Sequence, residues 1–337
     1  MQSSRFWTPG SRHAVVPLLP LACLLVLWTS PAPAADTPAS PVFDVPKLDN
    51  ITIDGKADDW GEQGFRVDIL ADATGKIPPA KDFAAQFRLG WNENGLLVLV
   101  TVTDDVFLEP ATKPEELWKG DSIEFFMCTE RGGGDSYQVV VAPGCDPNSP
   151  ELRSNISDYR KNKAEKLTLE VARTKTDKGY VMEALLPWKN LALEPQEGKE
   201  AAFQLYANDS DKAEQRTQLL WYPIPEANKD TSRMYLIRLA AGKKASPPVV
   251  AAACGAYNAD GKAVVSVAAV PELKGKKVKV KDGDKKVGEG KLEVTDGGAS
   301  VKIVLKSKDK DEPYGPLTVQ LEDEVLTTIN LPQPPAK

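Results

Sequence analysis

Histidine is all but missing. The 337 residues hold one, His13, and it falls in an amino-terminal stretch that reads as a cleaved leader. A processed chain without histidine has no Ser-His-Asp or Cys-His catalysis, no zinc site built on imidazole and no haem with a histidine axial ligand. Cysteine is scarce too. Of four, Cys23 lies in the leader, which leaves Cys128, Cys145 and Cys254. Export permits disulfides, and Cys128 and Cys145 flank the apolar run Tyr137 to Val141, close enough in sequence to be a candidate bridge across a hairpin; Cys254 would be left over. Past Trp28 no apolar run approaches the ~20 residues a membrane helix needs, so no membrane span is expected. Positive charge is not clustered. With a net charge of −6 and no basic face, nucleic acid is not an expected partner. Nucleophile elbow, phosphate loop, EF-hand spacing, heptad repeat and long amphipathic helix are all missing from the sequence.

What is present begins with the leader. Arg5 and Arg12 precede the apolar run Ala14 to Trp28, and Ala32-Pro33-Ala34 is a small-x-small cleavage site before Ala35. Residues 1–35 therefore read as a signal peptide and 36–41 as a polar tether, and the processed protein is expected to be secreted or periplasmic. Two domains fit the remaining length: 42–240, then a linker at 241–248 (AGKKASPP), then 249–332. The first domain is large enough to fold alone.

The fold class is all-β. In the first domain, strands are expected at Thr52 to Asp54, Phe65 to Leu70, Gln86 to Trp91, Leu96 to Thr103, Asp121 to Met127, Tyr137 to Ala142, Leu167 to Thr174, Gly179 to Leu186, Ala201 to Asn208, Gln218 to Tyr222 and Tyr235 to Leu239. Turn signals recur between them, which suits an antiparallel, jelly-roll-like sandwich; Pro187 to Leu191 could add one helical turn. Asn94-Gly95 joins a tight hairpin, and Leu96 to Val102 lacks alternation, as in a strand covered on both faces. Trp60 reads as a core plug flanked by turn aspartates. The second domain offers shorter, Val-rich strands at Ala263 to Val270, Lys276 to Lys281, Lys285 to Val294, Ala299 to Lys306, Leu317 to Glu322 and Val325 to Leu331, a small immunoglobulin-like sandwich acting as spacer.

Gln86 to Met127 carries the most suggestive chemistry. After a loop rich in Glu, Pro and Lys, Trp118-Lys119-Gly120-Asp121 leads straight into a strand in which Ile123, Phe125 and Met127 share one face and Ser122, Glu124 and Phe126 the other. A carboxylate fixed in mid-strand, beside a loop tryptophan, offers a flat apolar plate and a hydrogen-bond acceptor, which is what a polyhydroxylated ligand requires.

The ordered set Ile53-Asp54-Gly55-Lys56-Ala57-Asp58-Asp59-Trp60, then Trp91 before a hairpin, Trp118 to Glu124, Gly179-Tyr180 to Pro187-Trp188, and Asn208-Asp209 resembles family 9 carbohydrate-binding modules, the non-catalytic β-sandwich modules of secreted xylanases, over roughly Val42 to Leu239. In that family two tryptophans clamp a terminal sugar. The resemblance puts Trp118 at the first clamp position and Glu124 at the strand acid. The loop Pro223 to Met234 has no second tryptophan, and Asn228 stands near its place. A polar pair on the next strand falls on Gln138 and Val140, Asn208 and Asp209 keep the family's pattern, and Tyr222 or Tyr235 could supply a second stacking face. The resemblance implies a secreted, non-catalytic protein that binds plant-type polysaccharide or its chain ends alongside polysaccharide-degrading enzymes. It also implies structural calcium in some members, for which Asp58, Asp59, Asp104, Asp105 and Asp209 are the oxygen ligands available. Alternatives are a scaffold protein whose sandwich has lost sugar binding, a haem-binding relative with Met127, Met182, Met234 or a lysine as axial ligand, and a glycosidase drawing on Asp121, Glu124, Glu170 and Glu183.

Overall fold

The computed structural model describes residues 41–212, 215–306 and 314–331; the leader and most of the tether lie outside the described residues. The amino-terminal sandwich comprises β1 (Val42–Pro46), β2 (Phe65–Val67), β3 (Phe83–Trp91), β4 (Gly95–Asp104), β5 (Ser122–Cys128), β6 (Ser136–Ala142), β7 (Arg153–Asp158), β8 (Glu170–Thr176), β9 (Gly179–Pro187), β10 (Glu200–Lys212), β11 (Gln215–Leu220) and β12 (Tyr235–Ala240). One sheet runs β1-β12-β10-β5-β6-β7, with β11 also paired to β10, and faces a five-stranded sheet β2-β3-β4-β9-β8. All of these pairings are antiparallel except β1 with β12, where Val42 lies beside Leu236 in a parallel ladder.

Strand periodicity sets what each sheet buries. From β4, Leu96, Val98, Val100 and Val102 enter the core between the sheets, where Phe87, Phe125, Phe203 and Trp221 also pack. Leu97 and Leu99 point the other way and are covered by Leu48 and Trp60. The unbroken apolar run thus reflects a second cover, the segment 47–60 folded over the outer face. Thr52 to Asp54, expected as a strand, is a turn in this cover. Its backbone is claimed by a carboxylate instead of a ladder: Glu183 Oε2 accepts the amides of Asp54 (2.9 Å), Gly55 (2.7 Å) and Lys56 (3.2 Å), and Oε1 accepts Trp60 Nε1 (2.7 Å). Gly55 has φ +82°, and a Cβ there would lie 2.7 Å from the Arg173 backbone, so only glycine fits.

The candidate bridge between Cys128 and Cys145 does not form; both thiols are free and buried, as is Cys254. The register explains it. Cys128 sits opposite Ser136 at the start of β6, whereas Cys145 follows Ala142 at the far end of that strand. Sequence proximity put the two at opposite ends of one hairpin.

The second sandwich comprises β13 (Ala251–Tyr257), β14 (Ala263–Ala269), β15 (Lys277–Asp282), β16 (Lys285–Lys291), β17 (Glu293–Thr295), β18 (Gly298–Val304), β19 (Leu317–Leu321) and β20 (Glu324–Ile329). Two four-stranded sheets, β13-β14-β18-β17 and β16-β15-β19-β20, enclose their own valine-rich core. The run expected as one strand from Lys285 to Val294 is two strands in different sheets. Buried Leu292 marks the crossing, its amide bonded to Lys276 O and its carbonyl to Gly275 N.

The segment 241–249 is bound rather than loose. Asp44 donates its amide to Ser246 Oγ, Ser246 N returns one to Asp44 O, and Val249 bridges Val67 at the edge of β2. Beyond it, Ile69, Ala71 and Ile77 of the first sandwich pack on Ala268, Ala252 and Val270 of the second. Gly297 passes so close to Pro78 O that a Cβ would stand 1.9 Å from it. A chain ended at residue 240 would expose this cluster. At roughly 1.5 to 3 kcal/mol for each of the two buried isoleucines, its amino-terminal sandwich is expected to be about 3 to 6 kcal/mol less stable than in the full chain. Denaturant melts followed by the fluorescence of its tryptophans test this; equal midpoints would show that the contact carries no stability.

Candidate functional site

On β5, Ile123, Phe125 and Met127 face the core, so Ser122, Glu124 and Phe126 emerge on the outer face of the larger sheet. The ladders then set their neighbours: Tyr206 and Asn208 of β10 lie opposite Glu124 and Ser122, Gln218 of β11 opposite Asn208, and Gln138 of β6 opposite Phe126. The polar residues among these join in one row across four strands. Glu124 Oε1 accepts Asn208 Nδ2 (2.8 Å) and Gln218 Nε2 (3.3 Å), and Oε2 accepts Gln138 Nε2 (2.6 Å). Gln218 also donates to Asn208 Oδ1 (2.9 Å), and Tyr159 OH closes the far end on Gln138 Oε1 (3.0 Å). Glu124 is 4% exposed. Burial raises its pKa above the usual carboxylate value, and the amides of Asn208 and Gln138 pull it back.

Trp118 stands beside this row on a 3-10 turn, Pro114–Lys119, anchored by buried Leu117 against Ala111, Val140 and Ala142. Val140, which stands where the family has the second residue of a polar pair, is part of that apolar anchor, so Gln138 is the polar contact that remains. The indole of Trp118 is 38% exposed, so it is a surface plate and not a core residue. Arg216, on the face of β11 that carries Gln218, lays its guanidinium over the indole at 4.8 Å and donates to Trp118 O at 3.0 Å.

The structure thus brings together Glu124, Gln138 and Asn208, with Trp118 alongside. It leaves out two other residues that the resemblance pointed to. Because β10 runs on to Lys212 instead of turning at Asn208, Asp209 points away from its neighbour's face. Tyr222 lies past the end of β11, against Tyr235 at 4.9 Å with Arg131 over its ring, and does not touch the row. Gln218, Tyr159 and Arg216 were not foreseen. Period-two spacing of Arg216, Gln218 and Leu220 within one strand was the available signal.

Asp209 belongs to an acidic group. Asp104, Asp209 and Asp211 bring carboxylate oxygens within 4.8 Å of one another, with Asp121 next to them. Burial, reinforced by neighbouring carboxylates, pushes Asp104 and Asp209 up to about 7 and Asp121 to about 9. Asp104 Oδ2 and Asp209 Oδ1 are buried and accept no hydrogen bond from the described residues. Orphaned hard oxygens on converging carboxylates fit the calcium that the resemblance implies, with Asp104, Asp209 and Asp211 as its holders; a bound cation would supply the missing positive charge. Asp58 and Asp59 belong to the turn around Trp60, away from this group.

Haem fits less well. Met127 and Met182 are enclosed in the main core and Met234 beneath Phe126 and Tyr206, each at most 1% exposed, so none is presented to an open cavity. The acids weighed for glycoside hydrolysis also separate. Glu124 lies on the outer face of one sheet, Glu183 on the outer face of the other beneath its turn, and Asp121 accepts the amides of Leu108 and Ser210.

A family model described as carbohydrate family 9 binding domain-like matches residues 53–241. The chain belongs to that family. Among curated proteins it is 26% identical over 194 residues to endo-1,4-beta-xylanase A of Thermotoga neapolitana, a match covering 56% of this chain and 17% of the xylanase. It is likewise 26% identical over 185 residues to exoglucanase XynX of Acetivibrio thermocellus, covering 53% of this chain and 15% of that protein. The chain thus spans less than a fifth of the length of these relatives. A solved family 9 module from Caldicellulosiruptor kristjanssonii, in complex with cellotriose, is 20% identical, covering 60% of this chain and 95% of the module at a TM-score of 0.47. The match to the family model ends at the segment that joins the two sandwiches, so family 9 membership describes the first of them.

Proposed function

We propose that this chain is an exported, non-catalytic carbohydrate-binding protein whose ligand, a plant-type polysaccharide or its chain ends, is held on the outer face of the larger sheet. One observation carries the reading: a buried carboxylate, Glu124, fixed by three side-chain amides beside the exposed indole of Trp118. Oriented amides and a carboxylate supply donors and acceptors to sugar hydroxyls, and the indole supplies an apolar plate for a pyranose. The relatives that share the module are named as xylanases and an exoglucanase, so xylo- and cello-oligosaccharides are the first probes, and enzymes of polysaccharide breakdown are the proposed partners.

The loop where the family's second clamp belongs holds Ala227 buried against Tyr206, with no aromatic in Pro223 to Met234. One plate and a few polar contacts leave little free energy after association entropy, so Kd in the range of about 0.1 to 1 mM is expected. Trp118→Ala should weaken binding about tenfold, the scale of one aromatic contact. Since the ring is a surface group, the melting temperature should barely move. Titration calorimetry beside a thermal melt decides it. No heat from any oligosaccharide would favour the scaffold reading, to which the near-complete burial of Glu124 lends support.

A further inference from the structure

We propose that Arg216 makes this site selective for a sugar that bears a carboxylate, a hexuronic acid unit; the inference rests on the carbohydrate-binding reading above. Arg216 is an exposed residue whose guanidinium covers one face of the indole that a sugar would use, 4.8 Å from its centre. Its hydrogen bond goes to Trp118 O, and it makes no ion pair among the described residues. Among the described residues the negative charge that acts on it is Glu124, yet both oxygens of that carboxylate are taken by Asn208, Gln218 and Gln138. Among the described residues, a cation therefore stands at the edge of the polar row without an ion-pair partner and with donors to spare.

The two kinds of ligand meet this cation differently. A neutral pyranose that seats on the covered face of the indole must first displace the guanidinium and gives no charge in return. A uronic acid keeps the same ring and hydroxyls and adds a planar carboxylate, which matches the guanidinium fork in two parallel hydrogen bonds. Specificity of this kind combines a gain for one ligand with a penalty for the other. Lys119, the second cation near the indole at 5.9 Å, differs in being paired with Glu116 at 2.8 Å.

Titration calorimetry of the full chain at pH 7, with the methyl glycosides of glucose and glucuronic acid and of galactose and galacturonic acid, tests this. One uronic acid is expected to bind about tenfold more tightly than its neutral counterpart, the size of one added charge-assisted interaction. The preference should shrink between low and high salt, because an exposed ion pair is screened. Arg216→Gln should abolish the preference, the uronic acid and its neutral counterpart then binding equally, and Lys119→Gln should keep it. A preference equal in Arg216→Gln, or tighter binding of the neutral sugars by the unaltered chain, would overturn the selectivity and leave sugar binding standing. If none of the four sugars binds while a xylo- or cello-oligosaccharide does, the selectivity is overturned and sugar binding stands; if those oligosaccharides give no heat either, the carbohydrate reading itself is lost.

Discussion

Replacing Glu183 by alanine should cost the amino-terminal sandwich roughly 3 to 5 kcal/mol, although the residue lies on the opposite sheet from Glu124, apart from the proposed sugar site. Its carboxylate is fully buried and receives four donors, three consecutive backbone amides of the turn at Asp54 and the indole N–H of Trp60. Alanine leaves all four without this partner, two of them, the Gly55 amide and the Trp60 indole, at buried sites, and loosens the cover over Leu97 and Leu99. Glutamine would not restore it, because an NH2 group must then face one of the two sets of donors. Trp60→Phe removes the indole bond and part of a buried ring, and should cost about 1 to 3 kcal/mol. Guanidinium unfolding of the three variants orders them; a loss under about 1 kcal/mol for Glu183→Ala would mean that solvent reaches the turn.

The second large effect is expected from calcium. If Asp104, Asp209 and Asp211 hold the ion, free calcium at about a hundred times Kd contributes roughly 2.7 kcal/mol, a rise in melting temperature of about 5 °C that chelation reverses. The effect has a sign in pH. Asp104 and Asp209 are raised in the folded protein from the usual 3.8 to about 7. The unfolded chain releases these protons first, so without calcium stability falls as pH rises from about 4 through about 7. Calcium binds the ionised carboxylates, so its stabilisation grows over the same window and should be large at pH 8 and nearly lost at pH 5. Asp209→Asn should raise the melting temperature of the chelated protein at pH 8 and abolish the response to calcium. Identical melts with calcium and with chelator at pH 8 would remove the ion from this site.

The sandwich was legible where one physical rule dominates. Alternation in β5 assigned Glu124 to the outer face, and the lack of alternation in β4 announced a second cover, though not that a turn bonded to Glu183 provides it. Strands whose stability comes from their neighbours were not legible. Arg153 to Asp158 (RSNISD) has neither alternation nor β-branched density, and becomes β7 because β6 offers it an open edge. Ala251 to Tyr257 is small-residue chain made into β13 by pairing with β14. At the site, the end of β10 decided the outcome. Ending it at Asn208 makes Asn208-Asp209 one polar turn, whereas its continuation to Lys212 sends the two side chains to opposite faces, one to the sugar-type site and the other to the acidic cluster. Gln218 and Arg216 come from a strand whose partner is specified only by the ladder to β10.

The parallel pairing of β1 with β12 bears on how the protein is made. These strands are the first and last of the sandwich, and β12 is the strand that β1 pairs with, from Val42 beside Leu236 to Pro46 beside Ala240, while the other edge of β1 is bonded at Asp44 to Ser246, later still in the chain. Closing that ladder requires a loop of nearly the whole domain, a non-local contact whose entropy must be met before it stabilises anything. During synthesis from the amino terminus the sheet therefore stays open on one side until residue 240 has emerged. Completion of this sheet is expected late and slowly, after the rest of the sandwich has been made.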